Sequence, residues 1–135
     1  MIATEISGGT ETVLIVDDDP SIVQFAQEVL EKYGYRTEQA ASGEEALEIY
    51  VEKKSAIDLV ILDLNMPGMG GYECLKALYK LDKKIKVIVA SGYPPDSNVR
   101  NTLETAGADF IGKPFHLTDL VKKVRIVLDK IGVAS

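Results

Sequence analysis

Carboxylate, hydroxyl and amine side chains follow four of the short apolar runs of this chain. They are Asp17, Asp18, Asp63, Ser91 and Lys113. Three carboxylates with no histidine or cysteine among them offer hard oxygen ligands, which suit Mg²⁺ or Mn²⁺ rather than zinc. The lysine supplies a positive point charge for an anion, and the serine supplies a hydroxyl donor. Together these residue types favour a phosphoryl group held between a divalent cation and a lysine.

Asp63 is the strongest candidate for a reacting group. The apolar run before it ends at Leu62, and the loop after it contains Pro67 and Gly68. A carboxylate at such a site can attack phosphorus and become an acyl phosphate. Because this is the attack of one anion on another, it requires charge neutralisation, which the cation and Lys113 would supply.

These side chains can meet only if the apolar runs are neighbouring strands of one sheet. The runs are short, apolar and bounded by turn formers, as buried strands are, and segments with helical spacing of apolar residues separate them. The run at 35–40 is more polar and suits an edge strand. The pattern predicts strands at 12–16, 35–40, 58–63, 85–90 and 108–112, and helices at 20–33, 42–54, 72–81, 95–106 and 117–131.

Strict alternation of strands and helices with short loops requires parallel strands and right-handed crossovers. We therefore predict an α/β fold, a three-layer doubly wound sandwich with a five-stranded parallel sheet and five helices. The carboxyl ends of all five strands then share one edge of the sheet, which is where such folds bind ligands. The five candidate side chains are expected to converge there.

Composition limits the class of protein. The chain has 135 residues, 46% hydrophobic and 27% charged, which fits one globular domain. A net charge of −6 argues against a dedicated nucleic-acid binder, which needs a basic face. We find no apolar run of about 18 residues and no secretory signal, so we expect a cytoplasmic protein without membrane contact.

Several other segments carry no predicted chemistry. Residues 1–11 are predicted to be a flexible leader, and residues 132–135 a C-terminal tail. Cys74 is predicted to be an ordinary buried core residue. The cluster Lys122, Lys123 and Arg125 is predicted to lie on the solvated face of a helix.

Four motifs, in this order, resemble the receiver domain of two-component response regulators. They are Val16-Asp17-Asp18-Asp19-Pro20, Leu62-Asp63-Leu64-Asn65-Met66-Pro67-Gly68-Met69, Ala90-Ser91-Gly92 and Lys113-Pro114-Phe115. The resemblance covers residues 12–131. It implies a flavodoxin-like sheet with strand order 2-1-3-4-5, and a phosphoprotein of phosphorelay signalling that is a switch rather than a turnover enzyme.

The resemblance also implies a role for each site residue. Asp63 is the expected phosphoacceptor. Asp17, Asp18 and Asp63, with the backbone carbonyl of Asn65, are the expected Mg²⁺ or Mn²⁺ ligands. Lys113 is expected to pair with the phosphoryl group, Ser91 to donate a hydrogen bond to it, and Phe110 to turn inward with Ser91 as a switch. The family also tends to have a cis peptide bond before Pro114.

Three residues bear on how this chain departs from the pattern that it resembles. Phe110 replaces a frequent tyrosine, so it can pack inward but offers no hydroxyl. His116 stands where many relatives have a helix-capping Asp or Ser, so that helix start is expected to be weaker. Tyr93 is expected to cover the pocket and shield the acyl phosphate from water.

The expected partners are a sensor histidine kinase or a histidine phosphotransfer domain upstream and a protein downstream. The downstream protein would meet the face formed by the fourth helix, fifth strand and fifth helix. A phosphorylation-dependent homodimer and an origin in a hybrid histidine kinase are also compatible with the resemblance.

Three other functions compete with the switch. An aspartate-nucleophile phosphatase typically carries Asp-x-Asp on its first strand and needs a cap. It is disfavoured because the candidate nucleophile here is on the third strand, Asn65 takes the place of the second acid, and there is no room for a cap. A flavodoxin-like cofactor binder is disfavoured because the aspartates at 17–19 would repel a phosphate. A receiver that only binds partners is disfavoured because every site residue is present.

Overall fold

The computed structural model describes residues 7–53, 56–66, 68–92 and 97–130. Strands and helices alternate along the chain. The strands are β1 Thr12–Val16, β2 Arg36–Ala40, β3 Leu59–Asp63, β4 Val87–Ser91 and β5 Asp109–Gly112. The helices are α1 Pro20–Lys32, α2 Gly43–Lys53, α3 Gly70–Leu81, α4 Ser97–Ala106 and α5 Leu117–Asp129.

The strands form one parallel sheet in the order β2-β1-β3-β4-β5, which confirms the predicted fold. β2 is an edge strand, as its polar sequence predicts. Register places Val16 beside Leu62, and Asp63 beside Ala90. The residues that follow these pairs are therefore brought together at the carboxyl edge of the sheet.

Two apolar cores lie on opposite faces of the sheet. One joins α1 and α5 to the sheet and includes Leu30 and Val124. The other joins α2, α3 and α4 to it and includes Tyr50 and Leu78. All five residues of β3 are buried, because β3 is a central strand covered on both faces. Cys74 is buried in the second core, as predicted.

Element ends differ from the predicted ends by one or two residues. β2, β4 and β5 begin at Arg36, Val87 and Asp109. The predicted α4 start at 95 or 96 and the predicted α5 end at 131 lie outside the described residues. Asp19 is the N-cap of α1, and its carboxylate accepts a hydrogen bond from the Ser21 amide. Within the described part of the chain, no helix has the length and apolar character needed to cross a membrane.

Arg125 corrects the prediction of a solvated basic cluster on α5. Its guanidinium binds the carboxylate of Glu11 at 2.7 Å and that of Asp129 at 2.8 Å, and it also donates to the Gly8 carbonyl and the Tyr35 hydroxyl. Residues 8–11, which directly precede β1, thus contact α5. The flexible leader at residues 1–11 stays a prediction.

Glu11→Gln should destabilise the protein near neutral pH but not in acid. The hydrogen bond from Arg125 holds the pKa of Glu11 below its usual range. The charged carboxylate therefore contributes stability above its unfolded-state pKa of about 4.3, and this contribution is lost as pH falls through the lower folded-state value. We expect a loss of about 1 kcal/mol in the free energy of unfolding at about pH 7, since the pair is partly exposed.

Urea unfolding followed by circular dichroism at several pH values measures this difference. The control is Glu48→Gln, at an exposed position on α2, which should change little at any pH. A Glu11→Gln deficit that stays constant from neutral pH to about pH 3 would contradict the linkage.

Candidate functional site

Asp63 ends β3 and is held at the carboxyl edge of the sheet by the backbone around it. The amide of Leu64 donates to the carbonyl of Ala90 on the neighbouring strand, 3.1 Å away. The Asp63 carboxylate accepts a hydrogen bond from the Asn65 amide at 3.0 Å. Asp63 is only 4% exposed, so its side chain is almost completely buried.

Asp17 and Asp18 lie beside Asp63 because β1 and β3 are paired in register. The Asp17 amide donates to the Ala40 carbonyl, and the Asp17 carboxylate accepts from the Asp19 amide. Asp17 is buried and Asp18 is exposed. One carboxylate oxygen of each of Asp17, Asp18 and Asp63 lies within 4.8 Å of the others. A cluster of hard oxygen atoms with two buried members fits a divalent cation such as Mg²⁺.

Lys113 brings a positive charge from the end of β5 to these carboxylates. Its Nζ lies 2.8 Å from an oxygen of Asp17 and 3.2 Å from an oxygen of Asp63. The backbone holds this position, since the Lys113 amide donates to the Ser91 carbonyl at 2.8 Å. The Lys113–Pro114 peptide bond is cis, as the resemblance implies.

The electrostatics of the site follow from burial and from an excess of negative charge. Burial raises the pKa of Asp63, and the charge of Asp17 raises it further, while the Asn65 amide and Lys113 oppose the shift. Burial alone would favour the neutral amine of Lys113, but the hydrogen bond and charge of Asp17, together with Asp63, raise its pKa. The lysine therefore stays charged, and three carboxylates face one ammonium group.

Ser91 ends β4 and lies on the other side of Asp63. It is buried, and its hydroxyl oxygen lies 3.3 Å from the side-chain amide nitrogen of Asn65, which donates to it. Phe110 is partly buried and packs against the core on the α2, α3 and α4 side. Among the described residues, Asp17, Asp63 and Ser91 are the buried polar or charged ones, and all three belong to this site.

The structure thus brings together the predicted residues Asp17, Asp18, Asp63, Ser91 and Lys113, with Asn65 between two of them. A cleft of about 680 Å³ opens beside Asp17 and Asp18, between α1 and the start of α2. His116 is the N-cap of α5 and makes no side-chain capping hydrogen bond, which matches the expected weak helix start. The shielding expected of Tyr93 falls outside the described residues.

Gly71 is a site-supporting residue that the sequence analysis missed. A Cβ built on it would lie 2.1 Å from the Asp63 carbonyl oxygen and 2.4 Å from the Leu64 Cα. Its amide donates to the Leu64 carbonyl at 3.2 Å. The first turn of α3 therefore packs directly on the backbone that carries Asp63, and only glycine permits this approach. The Gly70-Gly71 pair before a helix was the available signal.

The sheet, its acidic cluster and the lysine define a doubly wound α/β protein with a charged site at the carboxyl ends of its strands. Comparison with known proteins gives the family. Residues 13–125 match the response regulator receiver domain. The chain belongs to this family of two-component signalling domains, as the four motifs predicted.

Relatives and solved structures agree with this assignment. The chain is 39% identical to sporulation initiation phosphotransferase F of Bacillus subtilis, over 84% of this chain and 92% of that protein. It is 40% identical to the sensor kinase CckA of Brucella abortus, over 95% of this chain but 13% of that protein. A crystal structure of the CheX–CheY–BeF3–Mg²⁺ complex from Borrelia burgdorferi has a TM-score of 0.83 and 34% identity, covering 89% of this chain and 90% of that one.

Membership in this family fixes the broad character of the protein. Receiver domains are signalling switches that interact with histidine kinases and phosphotransfer proteins, and they bind Mg²⁺ at an acidic pocket. In this chain, Asp17, Asp18 and Asp63 form an acidic cluster.

Gly71→Ala should destabilise the protein, because the added Cβ would overlap the carbonyl of Asp63 and push α3 away from β3. We expect a loss of about 2 kcal/mol or more in the free energy of unfolding, as for other overpacked sites. Thermal and urea unfolding measure it. At Gly112, a Cβ would meet no atom within 4 Å, so Gly112→Ala is the matched control and should change stability by less than about 1 kcal/mol. Equal effects of the two substitutions would contradict the close approach.

Proposed function

We propose that this receiver accepts a phosphoryl group on Asp63 from the phosphohistidine of a sensor histidine kinase or a histidine phosphotransfer domain. One observation carries the proposal. A buried carboxylate at the end of a central strand has a lysine Nζ 3.2 Å away and two further carboxylates beside it. A nucleophile, a partner for the phosphoryl oxygens and a set of cation ligands are therefore in one pocket.

The transfer is a displacement at phosphorus. An oxygen of Asp63 forms a bond to phosphorus as the bond between phosphorus and the histidine nitrogen breaks, and the electron pair of that bond leaves on the imidazole. Lys113 faces the oxygens of the transferred group and stabilises the negative charge on them. The Asn65 amide, which binds the Asp63 carboxylate, keeps the nucleophile oriented.

Asp17, Asp18, Asp63 and the backbone carbonyl of Asn65 are the groups we assign to Mg²⁺ or Mn²⁺. Bound there, the cation would supply the additional positive charge that the attack of one anion on another requires. The excess of carboxylates over ammonium groups in the pocket supports this assignment, as does the Mg²⁺ of the similar CheX–CheY–BeF3 complex.

Ser91 and Phe110 are the residues we assign to the switch. The Ser91 hydroxyl would leave the Asn65 amide and donate to the phosphoryl group, and Phe110 would move further into the core beside it. β4 and β5 carry these residues and lead into α4 and α5. Phosphorylation would therefore change the α4-β5-α5 face, and with it the affinity for a downstream protein or for a second copy of the chain.

The chain as a receiver spans residues 12–131 in this proposal, preceded by a leader at 1–11 and followed by a tail at 132–135. We place it in the cytoplasm, with no direct nucleic-acid or membrane contact. Its similarity to a small part of the sensor kinase CckA is compatible with an origin in a hybrid histidine kinase. Its similarity to most of sporulation initiation phosphotransferase F is equally compatible with a stand-alone regulator.

Intact mass spectrometry after incubation with Mg²⁺ and acetyl phosphate or phosphoramidate should show the gain of one phosphoryl group. The adduct should require Mg²⁺ and be absent in Asp63→Asn, because the amide cannot attack phosphorus. No adduct in the wild-type chain with Mg²⁺ bound would indicate a receiver that only binds partners. Steady release of phosphate without an adduct would indicate a phosphatase.

Lys113→Met should separate the role of the lysine from that of the cation ligands. Loss of its charge removes a stabilising partner of the phosphoryl group, so adduct formation should slow by about 100-fold or more. It also leaves Asp17 and Asp63 without their ammonium partner, so Mg²⁺ should raise the melting temperature more in the variant than in the wild type. Lys32→Met, on the exposed end of α1, is the control. Wild-type adduct formation by Lys113→Met would contradict the assigned role.

A further inference from the structure

A groove between α3 and α4 lies outside the acidic pocket and has a different chemical character. Its volume is about 280 Å³, and most of its surface is apolar. It is lined by Tyr72, Lys76, Tyr79, Lys80, Asn101 and Thr105. On α3 these residues recur with helical spacing, so one face of that helix forms the wall with the aromatic rings and the lysines.

Lys76 and Lys80 line the groove, and none of the lining residues is acidic. The segment 72–86 contains five lysines and two acidic residues, a net charge of +3, whereas the other residues of the chain sum to −9. Lys76, Lys80, Lys83 and Lys84 of this segment are exposed. A positive area on a strongly acidic protein attracts negatively charged partners locally, and it selects them by charge complementarity.

The contacts at the groove leave its lysine charges able to bind a partner. Lys76 Nζ lies 3.3 Å from Glu73 Oε2, but both side chains are about half exposed, and such pairs contribute little. The same Nζ lies 5.1 Å from the centre of the Tyr72 ring. A partner segment whose carboxylate reaches Lys76 would therefore also meet the Tyr72 ring. Such a surface suits a segment that combines acidic and apolar side chains.

We propose that the α3–α4 groove is a docking site for an acidic peptide segment of a partner protein. An apolar or aromatic side chain of that segment would occupy the groove between Tyr72 and Tyr79, and flanking carboxylates would pair with Lys76 and Lys80. The proposal does not depend on phosphorylation of Asp63, because the lining residues and the acidic pocket have no member in common.

A short peptide fits this surface better than a nucleic acid does. The cavity accommodates one or two side chains. A long polyanion would extend beyond the lysines on to a chain with an overall charge of −6, where repulsion opposes binding. In a short peptide, acidic residues that flank one apolar side chain place negative charge only beside the lysines.

The experiment is selection of random peptides displayed on phage against the immobilised, unphosphorylated full chain. Selected sequences should be rich in Asp and Glu with an aromatic or leucine residue. Synthetic copies should bind, by fluorescence anisotropy, at least about tenfold more weakly to the double variant Lys76→Glu, Lys80→Glu. Binding should also weaken when ionic strength rises from about 0.1 M to about 1 M, since the Debye length falls from about 10 Å to about 3 Å.

The matched control is the double variant Lys32→Glu, Arg36→Glu, which makes the same change in charge on α1 and on the edge strand β2, outside the groove. It should bind the selected peptides with wild-type affinity. A second pair of variants tests the apolar part of the groove: Tyr79→Ala should weaken binding, and Tyr79→Phe should retain it. Circular dichroism and thermal unfolding of every variant establish that it folds.

Several outcomes would overturn the proposal. Selected peptides without acidic enrichment would do so, as would peptides that bind the Lys76→Glu, Lys80→Glu variant and the control equally well. Self-association that this variant abolishes, without peptide binding, would assign the groove to a second copy of the chain. Tighter binding of single-stranded DNA than of any selected peptide would assign it to a nucleic acid.

Discussion

Two buried carboxylates that share one lysine are the constraint on which this site depends. Asp17 and Asp63 are each 4% exposed, and their oxygens lie 2.8 Å and 3.2 Å from Lys113 Nζ. Burying a charge is costly unless a partner compensates it, and here one ammonium group serves two carboxylates. With Asp18 beside them, the pocket has a deficit of positive charge. That deficit is what makes a divalent cation a favourable addition.

The sheet supplies the rigidity that such an arrangement needs. β1 and β3 are internal strands, and their pairing sets Asp17 beside Asp63. β4 and β5 are paired so that Ser91 lies beside Gly112, and Lys113 follows at the next position. Asp63 and Ser91 thus end buried strands, and Asp17 and Lys113 directly follow paired strands. The loops after β1 and β3 then orient the two carboxylates through the amides of Asp19 and Asn65.

How much the sequence could predict depends on the range of each interaction. The placement of Asp63 and Lys113 at one edge of the sheet was predictable, because alternation of strands and helices requires parallel strands. The role of Gly71 was not predictable, because it depends on the approach of α3 to the backbone of β3. The ion pair of Arg125 was not predictable either, because its partner, Glu11, lies 114 positions earlier in the chain. Strand ends were displaced by one or two residues because they depend on hydrogen bonds to a neighbouring strand.

The two edges of the sheet limit how copies of this chain can associate. β2 carries Arg36 and Glu38 at one edge, and Lys53 of α2 pairs with Glu38 at 3.0 Å. β5 at the other edge has only four residues, and Lys130 pairs with Asp109 at its start. Charged and short edge strands resist the addition of another strand. Association through helical faces is therefore favoured over extension of the sheet, and the edges protect the protein against cross-strand aggregation.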